Sequence, residues 1–472
     1  MFTNHLHLDY DAALRDYDIF PKVIPAGKVS EITIKPLGRH ASFKQAAYQL
    51  SVHPWDEGQS SQYPDRPNNF VYEVTPGEDG CIRFSFEFFG EQQYFIRLRH
   101  EDVKLQFSVY SVFDDLVGRY PFRGDLHMHS CRSDGRQSPE IVAANYRQTG
   151  YDFMAITDHH RYAPSLDAIA AYKDVPLELC LVPGEEVHVP SDDEEGEAWE
   201  HLNNVHIVSF GGDYSINALI DDGEKDDCDY ASERRAIVPD PPPVRSKEQH
   251  WDEIDAYLKT LDIPEKVKGR ERYLIASCRW VFEEIKKANG LGIFCHPYWL
   301  NNVISIPPDL LVYIMESKMF DAFEVLGGES YFEQNGYQTA MYFEDRARGV
   351  RYPVVGNTDS HNSISAVNRN SRVCSTIVFS RENERRELIG SIKDFYSVAV
   401  DTIDETPRFV GEFRLVRYAC FLLKNFFPLH DELCFEEGRA MKDYACGVPG
   451  AKETLEFISG RMKAQREKYF GW

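Results

Sequence analysis

The sequence predicts an α/β layered or barrel domain, preceded by an antiparallel β-sandwich-like domain and followed by helices. Three observations carry this expectation. Apolar and polar residues alternate with period two up to about residue 119, short apolar strands alternate with helical segments from 120 to about 410, and helical periodicity takes over from 411 to 472.

In the first segment Glu31–Lys35, Phe70–Val74, Ile82–Phe88, Tyr94–Leu98 and Leu105–Val109 read as strands separated by Pro-Gly and Gly-Glu turns. In the second, Pro139–Thr149 reads as a helix with Ser138 as N-cap and Gly150 as its stop. Arg272–Asn289 reads as another, ended by Gly290 and leading directly into the strand Leu291–His296. Strands alternating with helices imply parallel pairing. The stretch Asp221–His250 is acidic and then rich in proline from Pro239 to Pro243, which marks a loop or insert, read here as a lid or rim. The last segment reads as helices packed on the barrel, closing with the charged run Arg461–Lys468.

With 472 residues, 43% of them hydrophobic and 13% aromatic, the chain has material for two or three domains with large cores. Its 76 acidic against 52 basic residues give a formal net charge of -24, partly in Ser191–Glu197 and Asp221–Asp229. Such a charge excludes a long nucleic-acid track or an anionic membrane surface as partner, while a site full of cations still attracts one small anion. The 10 cysteines include no Cys-x-x-Cys pair and the N-terminus lacks signal-peptide regions, so a cytoplasmic chain with reduced thiols is expected. The apolar stretch Tyr418–Phe427 is interrupted by Lys424 and is too short to span a bilayer.

The chemistry concentrates in Gly124-Asp-Leu-His-Met-His-Ser130, followed by Ser133-Asp134-Gly135, Thr157-Asp158-His159 and Thr358-Asp359-Ser360-His361. Imidazole and carboxylate are ligands that zinc, manganese and iron share, and His127 and His129, one residue apart, can share a strand face and grip one ion. Apolar segments precede the clusters, as Phe153–Ile156 precedes Asp158-His159, which places the polar groups at strand C-termini, where α/β barrels build their sites. In chain order the candidate ligands are His127, His129, Asp134, His159, Glu186, His206, His296, Asp359 and His361.

This order resembles the PHP (polymerase and histidinol phosphatase) family, in particular its stand-alone phosphoesterases, over roughly residues 120–400. Seven motifs carry the likeness: the His-x-His, Ser-Asp-Gly, Ile156-Thr-Asp-His159, Pro183-Gly-Glu-Glu186, Val205-His-Ile-Val208, Phe294-Cys-His-Pro297 and Asp359-Ser-His361. The resemblance implies a distorted β/α barrel of seven strands with two to three zinc, manganese or iron ions. It implies that His127, His129, Glu186 and Asp359 hold a first ion, with Glu186 bridging to a second that His206 and His296 also hold. Asp134, His159 and His361 would hold a third. Family spacing selects Glu186 over Glu185, whose side chain would point to the opposite strand face.

The expected activity is hydrolysis of a small phosphate ester, a nucleotide or sugar phosphate, by a metal-activated bridging hydroxide with no side-chain nucleophile. Interleaved carboxylates are needed because closely spaced cations repel, and Asp134, Glu186 and Asp359 supply them. Arg132 and Arg161, with Arg136 and Arg369, are candidates for charge-assisted bonds to phosphate. Asp158 is a candidate for orienting a ligand histidine, and His160, next to His159, and His188, two residues past Glu186 on the same strand face, are candidates for a place near substrate that read first as structural or ligand-orienting residues. Cys131 and Cys295 adjoin ligands and read as packing residues. His5-Leu-His7 repeats the His-x-His spacing without a following Ser-Asp-Gly and is assigned to a terminus. Alternatives are a carbamate or carboxylic ester hydrolase with the same ions, a short-oligonucleotide exonuclease, and a noncatalytic scaffold. A homo-oligomer is open to the N-terminal domain through an edge strand.

Overall fold

The computed structural model describes residues 16–56, 70–101, 103–189, 205–220, 236–265, 267, 269–301, 303–304, 306–327, 332–364, 374–402 and 407–472. The chain forms two compact units. Met1–Tyr120, Val416–Leu433 and Gly460–Trp472 make the first; Pro121–Leu415 and Cys434–Ser459 make the second. The residues read as one C-terminal helical segment are thus divided between them.

The first unit is built of two sheets. Strands β1 (Tyr17–Phe20), β3 (Lys28–Pro36) and β6 (Ile82–Phe88) form an antiparallel sheet, and β2 (Val23–Pro25), β8 (Val103–Val112), β7 (Gln92–His100), β4 (Tyr48–Pro54) and β5 (Phe70–Val74) form a second in that order. Period two is explicit in β6, where Ile82, Phe84, Phe86 and Phe88 are buried and Arg83, Ser85 and Glu87 are exposed. These side chains and Ile32 and Ile34 meet Leu50, Val52, Ile96 and Phe107 of the other sheet in one core. Each such burial contributes roughly 1.5–3 kcal/mol. Tyr418 stacks on Tyr110 with ring centroids 5.0 Å apart, and the Lys22 amide donates to the Tyr469 carbonyl at 2.7 Å, joining C-terminal helices to β8 and β2.

The second unit carries two larger sheets. One runs β11 (Cys180–Leu181), β10 (Phe153–Met154), β9 (Tyr120–Asp125), β19 (Cys374–Ser380), β20 (Ser397–Asp401) and β21 (Arg408–Gly411). The other runs β12 (Gly184–His188), β13 (His206–Phe210), β14 (Leu291–Phe294), β17 (Ala322–Leu326) and β18 (Val354–Gly356), while β15 (Leu300–Asn301) and β16 (Val303–Ile304) form a separate small hairpin. Helix α1 (Pro139–Gln148) follows β9, α2 (Ala163–Ala171) follows β10, α3 (Lys247–Leu258) and α4 (Arg270–Lys287) precede β14, α5 (Pro308–Ser317) precedes β17, α6 (Phe332–Ala347) precedes β18 and α7 (Arg385–Lys393) follows β19. Four helices end the chain: α8 (Phe413–Asn425), α9 (Phe427–Ala445), α10 (Ala451–Ile458) and α11 (Arg461–Tyr469). Among the described residues no helix is long and apolar enough to cross a membrane.

The α/β architecture with several sheets and C-terminal helices is present, and closure of the expected seven-strand barrel is not seen among the described residues. Pairing is parallel at β9–β10, β10–β11, β14–β17 and β17–β18 but antiparallel at β12–β13, β13–β14, β19–β20 and β20–β21. Strand direction reverses at these pairs even where helices intervene, α3 and α4 between β13 and β14 and α7 between β19 and β20. Side-chain hydrogen bonds from Thr376 and Ser397 to β18 link the two sheets, as do the isolated bridges Met128↔Ser360 and His159↔Glu186. Next to them His160 and Asp359 adopt positive φ, 55° and 47°, which turns the chain out of the ladder.

Local signals are mostly realised, with shifts of detail. Ser138 occupies the N-cap of α1 in extended conformation, but its side chain makes no cap hydrogen bond. Helix α4 is ended by Asn289 at φ 58°, one residue before the expected Gly290, since asparagine tolerates the left-handed region better than most residues. Of the insert, residues 221–235 lie outside the described residues; α3 opens with a reciprocal Ser246–Gln249 capping box. A Cβ at Gly438 of α9 would lie 2.2 Å from the Gln148 amide nitrogen and 2.7 Å from the Ala144 carbonyl oxygen of α1. Gly438→Ala is therefore expected to destabilise the protein by roughly 1–3 kcal/mol, read as a lower urea midpoint at unchanged slope.

Candidate metal centre

His127 and His129 prolong β9 beyond its last residue and alternate with Leu126 and Met128, both fully buried. The loop after β18 is zipped to this stretch. The Asp359 amide donates to the His127 carbonyl at 2.9 Å and the His129 amide to the Ser360 carbonyl at 3.0 Å. Asp125 clamps the same junction, accepting from the amides of His127 and Thr358, each at 3.1 Å, and from the Thr358 hydroxyl. Burial pushes its carboxyl up to about 7, against those donors, which favour the charged form.

Asp158 performs the equivalent task for the Ser133-Asp134-Gly135 turn rather than touching a candidate donor. It accepts from the Ser130 amide at 2.7 Å and from the hydroxyls of Ser130 and Ser133. Burial raises its carboxyl to about 6 despite these bonds. The turn presses backbone on backbone, for a Cβ at Gly135 would meet the His129 carbonyl oxygen at 2.6 Å.

All nine expected donors converge, with the Glu186 carboxylate at their middle. Its Oε1 lies 2.9 Å from His206 Nδ1 and 3.3 Å from His296 Nε2; its Oε2 lies 2.7 Å from His159 Nδ1 and 3.4 Å from both His127 Nε2 and His129 Nε2. Asp359 Oδ1 stands 3.3 Å from His127 Nε2 and 3.0 Å from His129 Nε2. Asp134 reaches His159 Nε2 at 3.5 Å and His361 Nε2 at 3.1 Å. Asp134 and His361, 47% and 29% exposed, form the open edge, whereas His127, His129 and Glu186 are wholly enclosed.

Glu185, the rival of Glu186, points to the other face. Its carboxylate accepts from Ser215 Oγ at 2.8 Å, from Asn217 Nδ2 at 2.9 Å and from the Ile216 amide. It holds the turn after β13.

The electrostatics fit bound cations. Burial alone would raise the Glu186 carboxyl, but the fields of His159, His127 and His206 hold it well below the usual carboxylate range. Burial and the neighbouring His159 push His129 down to about 3, so that it is a neutral imidazole with a lone pair to offer. His127 Nε2, His129 Nδ1, Glu186 Oε2 and His206 Nδ1 are buried without a hydrogen bond of acceptable geometry, although donor atoms crowd them. Imidazole nitrogens and carboxylate oxygens crowded together at such distances, several of them without a hydrogen-bond partner, are what shared cations satisfy, so the residues present fit a metal group. The donors fall into overlapping sets, His129–Asp134–His159–His361, His127–His129–Asp359 and His159–Glu186–His188, each with ligand atoms within 4.8 Å of one another.

Sequence reasoning missed Glu324. It lies on β17, fully buried, 3.0 Å from His127 Nδ1, and is itself held by Asn357 Nδ2 at 2.7 Å. A carboxylate there fixes the tautomer that turns the Nε2 lone pair toward Glu186 and Asp359. No motif marks it; a charged residue inside the apolar run Ala322–Leu326 was the available signal. Glu324→Gln is expected to weaken metal affinity about 10–100-fold with the fold retained, measured by competition with a chromophoric chelator.

Arg132 and Arg161, read as phosphate contacts, are buried and engaged by carboxylates. Arg132 pairs with Asp167 at 2.7 Å and Asp240 at 3.4 Å, and Arg161 with Asp240 at 3.1 Å. Through Asp240 they tie down the described part of the insert. Cys295 donates to the His206 carbonyl at 3.2 Å. Trp299 stands beside the donors, its ring centroid 6.1 Å from that of His206 and 6.2 Å from that of His296. His5, His7 and Arg369 lie outside the described residues.

No protein-family model matches the sequence. A segment of 64 residues is 39% identical to the DNA polymerase/3'-5' exonuclease PolX of Bacillus subtilis, covering 14% of this chain and 11% of that protein. Among solved structures, a two-domain protein from Bacteroides vulgatus containing a predicted PHP-like metal-dependent phosphoesterase shares 15% identity over 60% of this chain and 65% of that chain, with a TM-score of 0.37. An amidohydrolase from Chromobacterium violaceum, solved with sulfate and no metal, shares 18% identity over 51% of this chain and 87% of that chain, with a TM-score of 0.29. The chain thus shares one segment of sequence with PolX, and its structural neighbours include a protein with a predicted PHP-like metal-dependent phosphoesterase.

Proposed function

We propose that this chain is a metal-dependent phosphoesterase that hydrolyses a small phosphate monoester of the nucleotide or sugar-phosphate class. One observation carries the reading: nine histidine, aspartate and glutamate side chains from distant motifs meet around the buried Glu186, with orphaned lone pairs facing one another. When bound, divalent ions in such a site lower the pKa of a coordinated water to about 7 and place positive charge against phosphoryl oxygens.

The chain's own residues prepare that chemistry. Glu186 and Asp359 interpose negative charge among the imidazoles, which offsets the mutual repulsion of closely spaced cations. Glu324 holds His127 in the orientation that aims its free nitrogen inward. The partly exposed Asp134 and His361 mark the side from which a substrate phosphate arrives. Trp299 offers a flat apolar wall beside His206 and His296 for the organic part of the ester. The net charge of -24 favours a small anion drawn to the cations over a long polyanion.

The test is steady-state release of inorganic phosphate from a panel of nucleoside and sugar phosphates, before and after chelation and after restoring Zn2+, Mn2+ or Fe2+. Chelation should remove turnover and an ion should restore it. Turnover of aryl esters or carbamates with no phosphate substrate accepted would move the activity to carbonyl chemistry and overturn the phosphoesterase reading.

A further inference from the structure

We propose that His188 is a tenth donor of the metal centre, beyond the nine residues nominated by the motifs; the inference rests on the metal-dependent reading above. His188 closes β12 two residues after Glu186, so both side chains share one strand face. Its register partner on β13 is His206, and the two rings stack with centroids 3.8 Å apart and 7° between planes. The ring of His160 meets that of His188 edge to face, with centroids 4.2 Å apart.

The decisive contact is with His159. His188 Nε2 lies 2.8 Å from His159 Nδ1, and the same Nδ1 lies 2.7 Å from Glu186 Oε2. A neutral imidazole nitrogen carries one hydrogen at most. On His159 Nδ1 that hydrogen serves Glu186 or faces His188, and the other short contact stays unbridged; without it, the nitrogen and carboxylate lone pairs oppose each other at 2.7 Å. A cation accepting from His188 Nε2, His159 Nδ1 and Glu186 removes this deficit, and the three ligand atoms lie within 4.8 Å of one another. Imidazole–imidazole–carboxylate is a donor set that zinc, manganese and iron accept.

The competing role is orientation: His188 donates a hydrogen bond to His159 and never touches an ion. Direct ligation and orientation differ in what their loss removes. Full-length wild type, His188→Gln and His188→Ala, stripped and reloaded with Zn2+, would be compared by metal stoichiometry from mass spectrometry and by affinity against a chromophoric chelator. Reloading with Co2+ adds the visible spectrum of the bound ion. The expected result is one ion fewer per chain, or one ion weakened by more than about 100-fold, beyond the 10–100-fold of an outer partner, together with a shifted Co2+ band. Unchanged stoichiometry with an unchanged Co2+ spectrum, whether affinity is preserved or falls within that outer range, overturns the proposal. Thermal unfolding in excess chelator compares the folds without metal, and His188→Gln, similar in size and still polar, carries the test where alanine disrupts packing. Wild type that binds no metal would defeat the proposed function itself, whereas loaded wild type with unaffected variants would defeat only the role of His188.

Discussion

Replacing His127 and His129 together with alanine is expected to abolish metal-dependent phosphate release, by about 1,000-fold or more, and to strip metal from the protein. Both rings are wholly buried and face Glu186 Oε2 and Asp359 Oδ1, so the double replacement removes two donors from the same buried cluster at once. Loss of the ion removes several kcal/mol of charge stabilisation, and roughly 4 kcal/mol corresponds to that rate factor. The fold should survive, since the zipper between His127–His129 and Asp359–His361 is made by backbone groups and by Asp125. The check is phosphate release and metal content on the same preparation. Undiminished turnover in the double variant would remove the assignment of the site.

Glu186→Gln is expected to have an effect of the same order, whereas Glu185→Gln should leave metal binding intact. Five imidazole nitrogens lie within 3.4 Å of the Glu186 carboxylate, and a neutral amide keeps its shape while deleting the negative charge that offsets adjacent cations. Metal content should fall by at least one ion per chain, and turnover by about 100-fold or more. At position 185 the carboxylate instead accepts hydrogen bonds from Ser215, Ile216 and Asn217. An amide presents one acceptor oxygen fewer, so the expected cost is about 1–3 kcal/mol of stability with normal metal loading. Equal metal loss in the two variants would show that the division of adjacent glutamates between two strand faces is wrong.

Much of this was legible in the sequence because it depends on local rules. Strand period two placed Ile82–Phe88 with its phenylalanines inward, and the same rule put Glu186 and Glu185 on opposite faces. Capping and stop signals located α1 and α4, although a left-handed asparagine rather than the glycine ended the latter. What escaped was tertiary. Parallel strands were inferred from alternation of strand and helix, yet β12–β13–β14 and β19–β20–β21 reverse direction, with α3 and α4 between β13 and β14 and α7 between β19 and β20, since a helix in the connection does not by itself fix the direction of the next strand. The arginines were chosen for proximity in sequence, and the structure pairs Arg132 with Asp167 and Asp240 and Arg161 with Asp240, a residue far from either motif in the chain.

The sequence by itself determined which donors are available and in what order, because ligand chemistry belongs to residue type and two-residue spacing sets a common strand face. Only the tertiary structure decided that Glu186 is the meeting point, that Glu324 stands behind His127 and that His188 faces His159. Those relations join residues on separate strands across long loops. They follow from strand order and from which buried lone pairs must face each other, and neither is written in the neighbourhood of any one residue.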